Sequence, residues 1–280
     1  MTRPDTLRIA LAQINPIVGD IAGNLAKARA ARATAAAGRA DVVMFSELFL
    51  SAYPPEDLVL KPAFQEACRA ACEAIAADTA DGGPAVLIGL PGRRTASSIT
   101  PWRCSMAAAS RRRRFKVELP NYGVFDEKRV FAEGRDAGPL NGCAACGSAC
   151  RSAKTSGAPE VVETLAETGA ANPDVAERFA VRLARKPDKR MNVVVARVTE
   201  SGLPLAYLNQ VGGQDELVFD GASFVLNADG TLACATSGLA RSARSDRVDE
   251  IRRGWRWREG ARCEALRRRR ARLITPASSA

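Results

Sequence analysis

Between Leu7 and Pro91, three short apolar runs alternate with two segments of helical character, an order that points to the α/β class. "LRIALAQI" (Leu7–Ile14), "DVVMFSELFL" (Asp41–Leu50) and "AVLIGLP" (Ala85–Pro91) have the length and aliphatic content of buried strands. "NLAKARAARATAAAG" (Asn24–Gly38) reads as an alanine-rich helix with an asparagine cap and a closing glycine. "AFQEACRAACEAIAADTA" reads as a second helix, with Cys68 and Cys72 four apart on one face as small core thiols. Strand and helix in strict alternation describe an α/β domain in which helices cover a sheet.

Composition then removes several classes of chemistry. The chain of 280 residues contains no histidine, which excludes Ser-His-Asp and Cys-His catalysis. Eight cysteines without a secretory signal are expected as thiols rather than a disulfide framework. Cys143, Cys146 and Cys150 form C-x2-C-x3-C, but no fourth ligand is evident and no metal site is expected. The apolar runs are too short to span a bilayer, so a cytoplasmic protein with no membrane partner is expected. The formal charge of +10 collects in "SRRRRF" (Ser110–Phe115), "RFAVRLARKPDKR" (Arg178–Arg190) and the arginine-rich tail. Nucleic-acid binding is the competing reading of these runs. Aromatics interleave with the charge only at "GWRWR" and no coherent basic face emerges, so no nucleic-acid partner is expected.

Ordinary patterning returns at "FKVELPNYGVFDEKRVF" (Phe115–Phe131), at "PEVVETLAETGA" (Pro159–Ala170) and from Asn192 to Gly230. The last of these reads helix, strand, turn, strand and the hairpin turn "NADG". A domain over 1–232 is expected, with degenerate windows near 92–114, 135–158 and 171–189. An irregular basic tail is expected over 233–280. The windows lack usable periodicity and are expected to be irregular.

Four of the well-patterned stretches resemble the carbon–nitrogen hydrolase (nitrilase) superfamily. They are "LRIALAQINPIVGDIAGNLAK", "FSELFLSAYPPEDLVLKPAF", "FKVELPNYGVFDEKRVF" and "LNQVGGQDELVFDGASF". More narrowly they are similar to the glutamine-amidase domain at the N-terminus of glutamine-dependent NAD synthetases. The resemblance implies a four-layer α-β-β-α sandwich, a Glu–Lys–Cys triad and glutamine or a similar small amide as substrate. Glu47 matches the general base, Lys116 the triad lysine and Glu127 the second glutamate that steadies the site. Tyr53, Tyr122 and Phe125 match residues that line the glutamine pocket; simple packing is the alternative for each. Homo-oligomers are common in the superfamily. The amidase part needs no cofactor; ATP and Mg belong to a synthetase half, whose S-G-G-x-D-S loop does not occur here. A stand-alone amidase acting on another amide is the alternative within the same superfamily.

The triad cysteine is expected in text of the type "VPICEDIWGP", but "CRSAKTSG" (Cys150–Gly157) stands there. Written as TGC CGA TCT GCG AAG ACA TCT GGG after a codon ending in G, these residues become V-P-I-C-E-D-I-W in a shifted frame. Arg94–Ser110 and Asn172–Lys186 likewise yield family-like text in shifted frames, the latter including N-G-S-P-Y. Shifted reading of GC-rich DNA also produces arginine and alanine runs. Ser152 and Ala153 straddle the lost cysteine codon, and neither can supply a thiolate. Cys150 has the wrong register, so no nucleophile is expected and activity is expected at background.

Overall fold

The computed structural model describes residues 6–93, 99–107, 110–116, 119–122, 125–134, 150–152, 174–177, 187–236, 238, 242–251 and 254–257. In chain order they form β1 (Thr6–Gln13), α1 (Ile21–Ala37), β2 (Val42–Met44), α2 (Pro62–Asp78), β3 (Ala85–Arg93), β4 (Ile99–Ala107) and β5 (Ser110–Phe115). The short β6 (Asn121–Tyr122), β7 (Phe125–Asp126) and α3 (Glu127–Val130) follow, then β8 (Cys150–Ser152) and β9 (Asp174–Glu177). The last part holds α4 (Pro187–Ser201), β10 (Leu205–Leu208), β11 (Val211–Gln214), β12 (Leu217–Asp220), β13 (Phe224–Leu226) and β14 (Leu232–Ala235). It closes with β15 (Ser242–Ile251) and β16 (Gly254–Trp257).

Two sheets carry the fold. The first has seven strands in the order β16-β15-β1-β2-β3-β4-β5, and the second has five in the order β14-β13-β10-β9-β8. Side-chain alternation decides what each face meets. In the first sheet Ala10, Ala12, Val43, Val86, Ile88 and Leu90 pack against Ala28, Ala31 and Ala35 of α1 and Cys68, Cys72 and Ile75 of α2. Their neighbours Ile9, Leu11, Val42, Met44 and Leu87 face Ala206, Leu208 and Val225 of the second sheet. The second sheet turns Leu205, Tyr207, Phe224 and Leu226 outward onto Val194 and Val198 of α4. Helix, sheet, sheet, helix is the expected four-layer architecture.

The helix ends follow local chemistry, with one correction. The cap of α1 is Asp20, whose carboxylate accepts from Gly23 N at 2.9 Å. The expected cap, Asn24, lies inside the first turn, fully buried. There its amide bonds Ile17 N, Ile17 O and Leu50 O. Asparagine here ties the preceding loop to the turn after β2 rather than starting the helix. Gly38 closes α1 as expected, and Pro62 opens α2, where a missing N–H costs nothing.

Where the windows fall among the described residues, the expectation of irregular structure is not met; most of 135–158 and 171–189 lies outside those residues. Each contributes paired strand: β4 and β5 from the first, β8 from the second and β9 from the third. The basic tail is likewise not irregular throughout, because β15 pairs antiparallel with the whole of β1 from Thr6↔Asp249 to Gln13↔Ser242. β16 pairs in turn with β15. Ladder hydrogen bonds join main-chain groups and tolerate almost any side chain. An unpaired edge of β1 or β3 is a template for whatever follows. The alternation Trp102, Cys104, Met106 in β4 was a further signal.

Candidate active site

Glu47 lies in the turn by which the chain leaves β2. Phe45 N still donates to Leu87 O at 2.9 Å, so pairing with β3 continues up to this turn. Leu48 then adopts φ +51° and Leu50 N returns to Gly89 O at 3.3 Å. Glycine at 89 is what lets the turn sit so close. A Cβ there would lie 2.4 Å from Leu48 N and 3.1 Å from Glu47 Cα, against backbone that cannot yield. The consequence is a glutamate held rigidly at the end of a central strand.

Lys116 is the residue after β5, fixed by its carbonyl accepting from Gly134 N at 2.7 Å. Glu127 opens α3; its N–H donates to Pro120 O at 3.1 Å, and its carbonyl accepts from Phe131 N at 2.8 Å. The three side chains meet. Lys116 Nζ donates to Glu47 Oε1 at 2.8 Å and to Glu127 Oε1 and Oε2 at 2.8 and 2.6 Å. Exposure is 4% for the Lys116 side chain, 6% for Glu47 and 5% for Glu127. An ammonium has three donors, and these contacts direct all of them at carboxylate oxygen. The sequence-predicted trio is therefore one buried cluster.

Around it stands an apolar wall of Leu48, Tyr53, Val59, Leu119, Phe131 and Phe219. Tyr53 meets Phe125 at 6.3 Å between ring centroids and Phe219 edge-on at 6.2 Å. Tyr53, Pro54, Phe125 and Glu127 also border a surface pocket whose rim carries Glu56 and Asp126. Tyr53 and Phe125 thus do both jobs that the residues allowed: they pack, and they line a pocket. For Tyr122 only the strand pairing with Phe125 is described. Arg129 braces the rim through Asp126 at 2.7 Å, Glu56 at 3.0 Å and Asp57.

Sequence reasoning missed two buried polar features, one that reaches the Glu47 turn and one that joins the two sheets nearby. Gln210, between β10 and β11, faces Ser46 Oγ at 3.4 Å and donates from Nε2 to Tyr53 O at 3.3 Å. Beside it Gln13 Oε1 accepts from Ser223 N, Ser223 Oγ and Thr236 Oγ1 at 3.0, 2.8 and 2.7 Å, joining β1 to the second sheet. The stretch "LNQVGGQDELVFDG" contained the signal, polar residues in the middle of apolar text, without saying where they point.

None of the three cysteines whose side chains are described belongs to this site. Cys68 and Cys72 are buried between α2 and the first sheet, and Cys234 between the two sheets; none is in a disulfide. Burial pushes the Cys68 thiol up to about 12, which keeps it neutral and inert. Ser152 and Cys150 are described as members of β8, at one edge of the second sheet, by their backbone pairing with β9. Ala153 lies outside the described residues, as do Cys143 and Cys146. Among the described residues no group of three or more Cys, Asp or Glu is arranged to hold a metal ion. Among the same residues no helix is long and apolar enough to cross a membrane.

The sequence from residue 8 to residue 242 matches the family described as Carbon-nitrogen hydrolase. The chain belongs to that family. This carbon–nitrogen hydrolase is 45% identical over 231 residues to the glutamine-dependent NAD(+) synthetase of Rhodobacter capsulatus, covering 82% of this chain and 41% of the relative. It is 34% identical over 239 residues to that of Thermotoga maritima, covering 81% of this chain and 39% of the relative. The chain thus spans about two-fifths of the length of these curated relatives. Among solved structures it superimposes on a glutamine-dependent NAD+ synthetase from Acinetobacter baumannii with a TM-score of 0.82 and 26% identity, covering 92% of this chain and 48% of that one. The NitN amidase of Neterenkonia sp. AN1 gives 0.73 with 25% identity, covering 88% of this chain and 93% of that one.

Proposed function

We propose that this carbon–nitrogen hydrolase carries the glutamine-hydrolysing site of an ammonia-supplying amidase that serves NAD synthesis, with its nucleophile lost. The observation that carries the reading is the buried cluster in which Lys116 Nζ bridges Glu47 and Glu127. Identity of 45% with a glutamine-dependent NAD(+) synthetase supports glutamine as the amide. Glu47 would take the proton of an attacking thiol and return it to the departing ammonia. Lys116 would stabilise the oxyanion of the tetrahedral intermediate, with Glu127 holding the ammonium in place. The thiolate must then form the thioester, and water must release glutamate from it. The trio can bind and polarise an amide; without the thiolate it cannot open that route.

The loss is attributed to shifted reading frames around Cys150–Gly157, Arg94–Ser110 and Asn172–Lys186. Regular strand in those windows, with β4 and β9 each paired on both sides in its sheet, counts against this reading, although main-chain ladders form with almost any text. The coding DNA decides it: the shifted frames should spell V-P-I-C-E-D-I-W and N-G-S-P-Y. We further propose a cytoplasmic location, no cofactor for the amide chemistry, and no membrane or nucleic-acid partner. ATP and Mg would act in a synthetase half. The stand-alone amidase reading has one observation in its favour, the 93% coverage of the NitN amidase.

A panel of amides separates the readings. The chain as written should release ammonia from glutamine no faster than a blank. A chain repaired in all three windows should prefer glutamine over propionamide by at least about tenfold, the discrimination expected when a site pairs the substrate's polar groups. Preference of the repaired chain for propionamide would establish the alternative.

A further inference from the structure

We infer that Gln210 is a positioning residue whose buried amide locks the Glu47 turn to the Tyr53 loop. Its side chain sits where two loops of distant sequence meet, 164 residues from Ser46 and 157 from Tyr53. Oε1 faces the Ser46 hydroxyl and Nε2 faces the Tyr53 carbonyl, so donor and acceptor are each used in the correct sense. The main chain beneath is anchored at both ends. Gly221 N donates to Gln210 O at 3.0 Å, and Val211 N donates to Ile14 O at 3.1 Å. The amide is therefore a short crossbar on a fixed base.

Its burial points to geometry rather than stability. Gln210 is 3% exposed and Ser46 is fully buried. Withdrawing an amide from water is costly, and bonds of 3.3 and 3.4 Å recover only part of that cost. An apolar side chain of similar volume would fill the space more favourably. What an apolar side chain cannot do is hold Ser46, and with it the adjoining Glu47, in register with the wall formed by Tyr53. A ligand that presses on Tyr53 is thereby coupled to the carboxylate that contacts Lys116. The proposal rests on reading Glu47 as the catalytic carboxylate, and it is independent of which amide is the substrate.

The test reads the Lys116 ammonium by proton–nitrogen NMR in the full chain without added substrate. Gln210→Met keeps the volume and removes both polar contacts. It should shift the Lys116 Nζ resonance and speed its proton exchange by roughly fivefold to tenfold, the equivalent of one buried hydrogen bond. Ser46→Ala cuts the same crossbar at one end; it should move the signal in the same direction, and it serves where Gln210→Met fails to fold. Thr236→Val removes one bond to Gln13 in the neighbouring seam; it should lower thermal stability and leave the signal in place. An unmoved signal in both folded crossbar variants, or an equal movement in Thr236→Val, overturns the proposal. Failure of the amidase reading would show in ammonia release and leave this signal responding.

Discussion

The Glu47 cluster and the β8 edge are built by the same fold, yet they obey different rules. In the cluster three charged side chains converge, each almost wholly buried, and each comes from a stretch that keeps its apolar patterning. At the edge the backbone is equally orderly: Cys150, Arg151 and Ser152 pair parallel with Val175, Ala176 and Glu177. The text of that edge nonetheless supplies no carboxylate, no imidazole and no thiol in the expected register. Main-chain hydrogen bonds can place a strand with little regard to its side chains, whereas catalysis depends on the identity of single atoms. A fold can therefore outlast its chemistry.

Substitution should expose this contrast most strongly at Lys116. Lys116→Ala leaves two buried carboxylates facing one another and should cost about 3–5 kcal/mol in chemical denaturation. Ser152→Ala on β8 should stay within about 0.5 kcal/mol. Comparable losses at both positions would erase the distinction.

Gly89→Ala comes next. The added carbon meets Leu48 N and Glu47 backbone, so the turn must shift at a cost of about 1–3 kcal/mol. The Lys116–Glu47 bond should weaken with it, visible in the same Lys116 resonance. A fully stable Gly89→Ala with an unchanged resonance would show that the turn has more room than its packing indicates.

The smallest effect concerns the helix–sheet core. Cys68 has its thiol raised by burial from 9.0 to about 12. Above the lower value the unfolded chain loses this proton while the folded chain keeps it, so stability falls as pH rises from about 9 to about 12. Cys68→Ala should flatten that part of the stability profile, and native Cys68 should resist alkylation. Rapid alkylation of Cys68 in the folded protein would contradict its place in the core.

How much of this was legible beforehand varied with the kind of signal. β1, β2 and β3 announce themselves as short apolar runs, α1 by its alanine content and closing glycine, and α2 by its apolar face. Asn24 misled because a polar residue ahead of alanines looks like a cap, while the nearby Asp20 takes that role and Asn24 is buried as a loop tie. β4 and β15 were missed because polar and charged residues interrupt their alternation, while main-chain pairing with β3 and β1 places them regardless. Glu47, Lys116 and Glu127 came from motif resemblance, and no spacing along the chain would have joined residues 69 and 11 positions apart. Gln210 left no trace as a bridge, since an amide between two loops has no period.

The most direct test of the account is covalent trapping. The chain is incubated with glutamine or an electrophilic glutamine analogue, and intact-protein and peptide mass spectrometry then search for an acyl adduct. The account predicts no adduct on any cysteine, and none in Cys150→Ser. A thioester or analogue adduct on Cys150, lost in Cys150→Ser, would show that the β8 edge still delivers a nucleophile to Glu47 and Lys116.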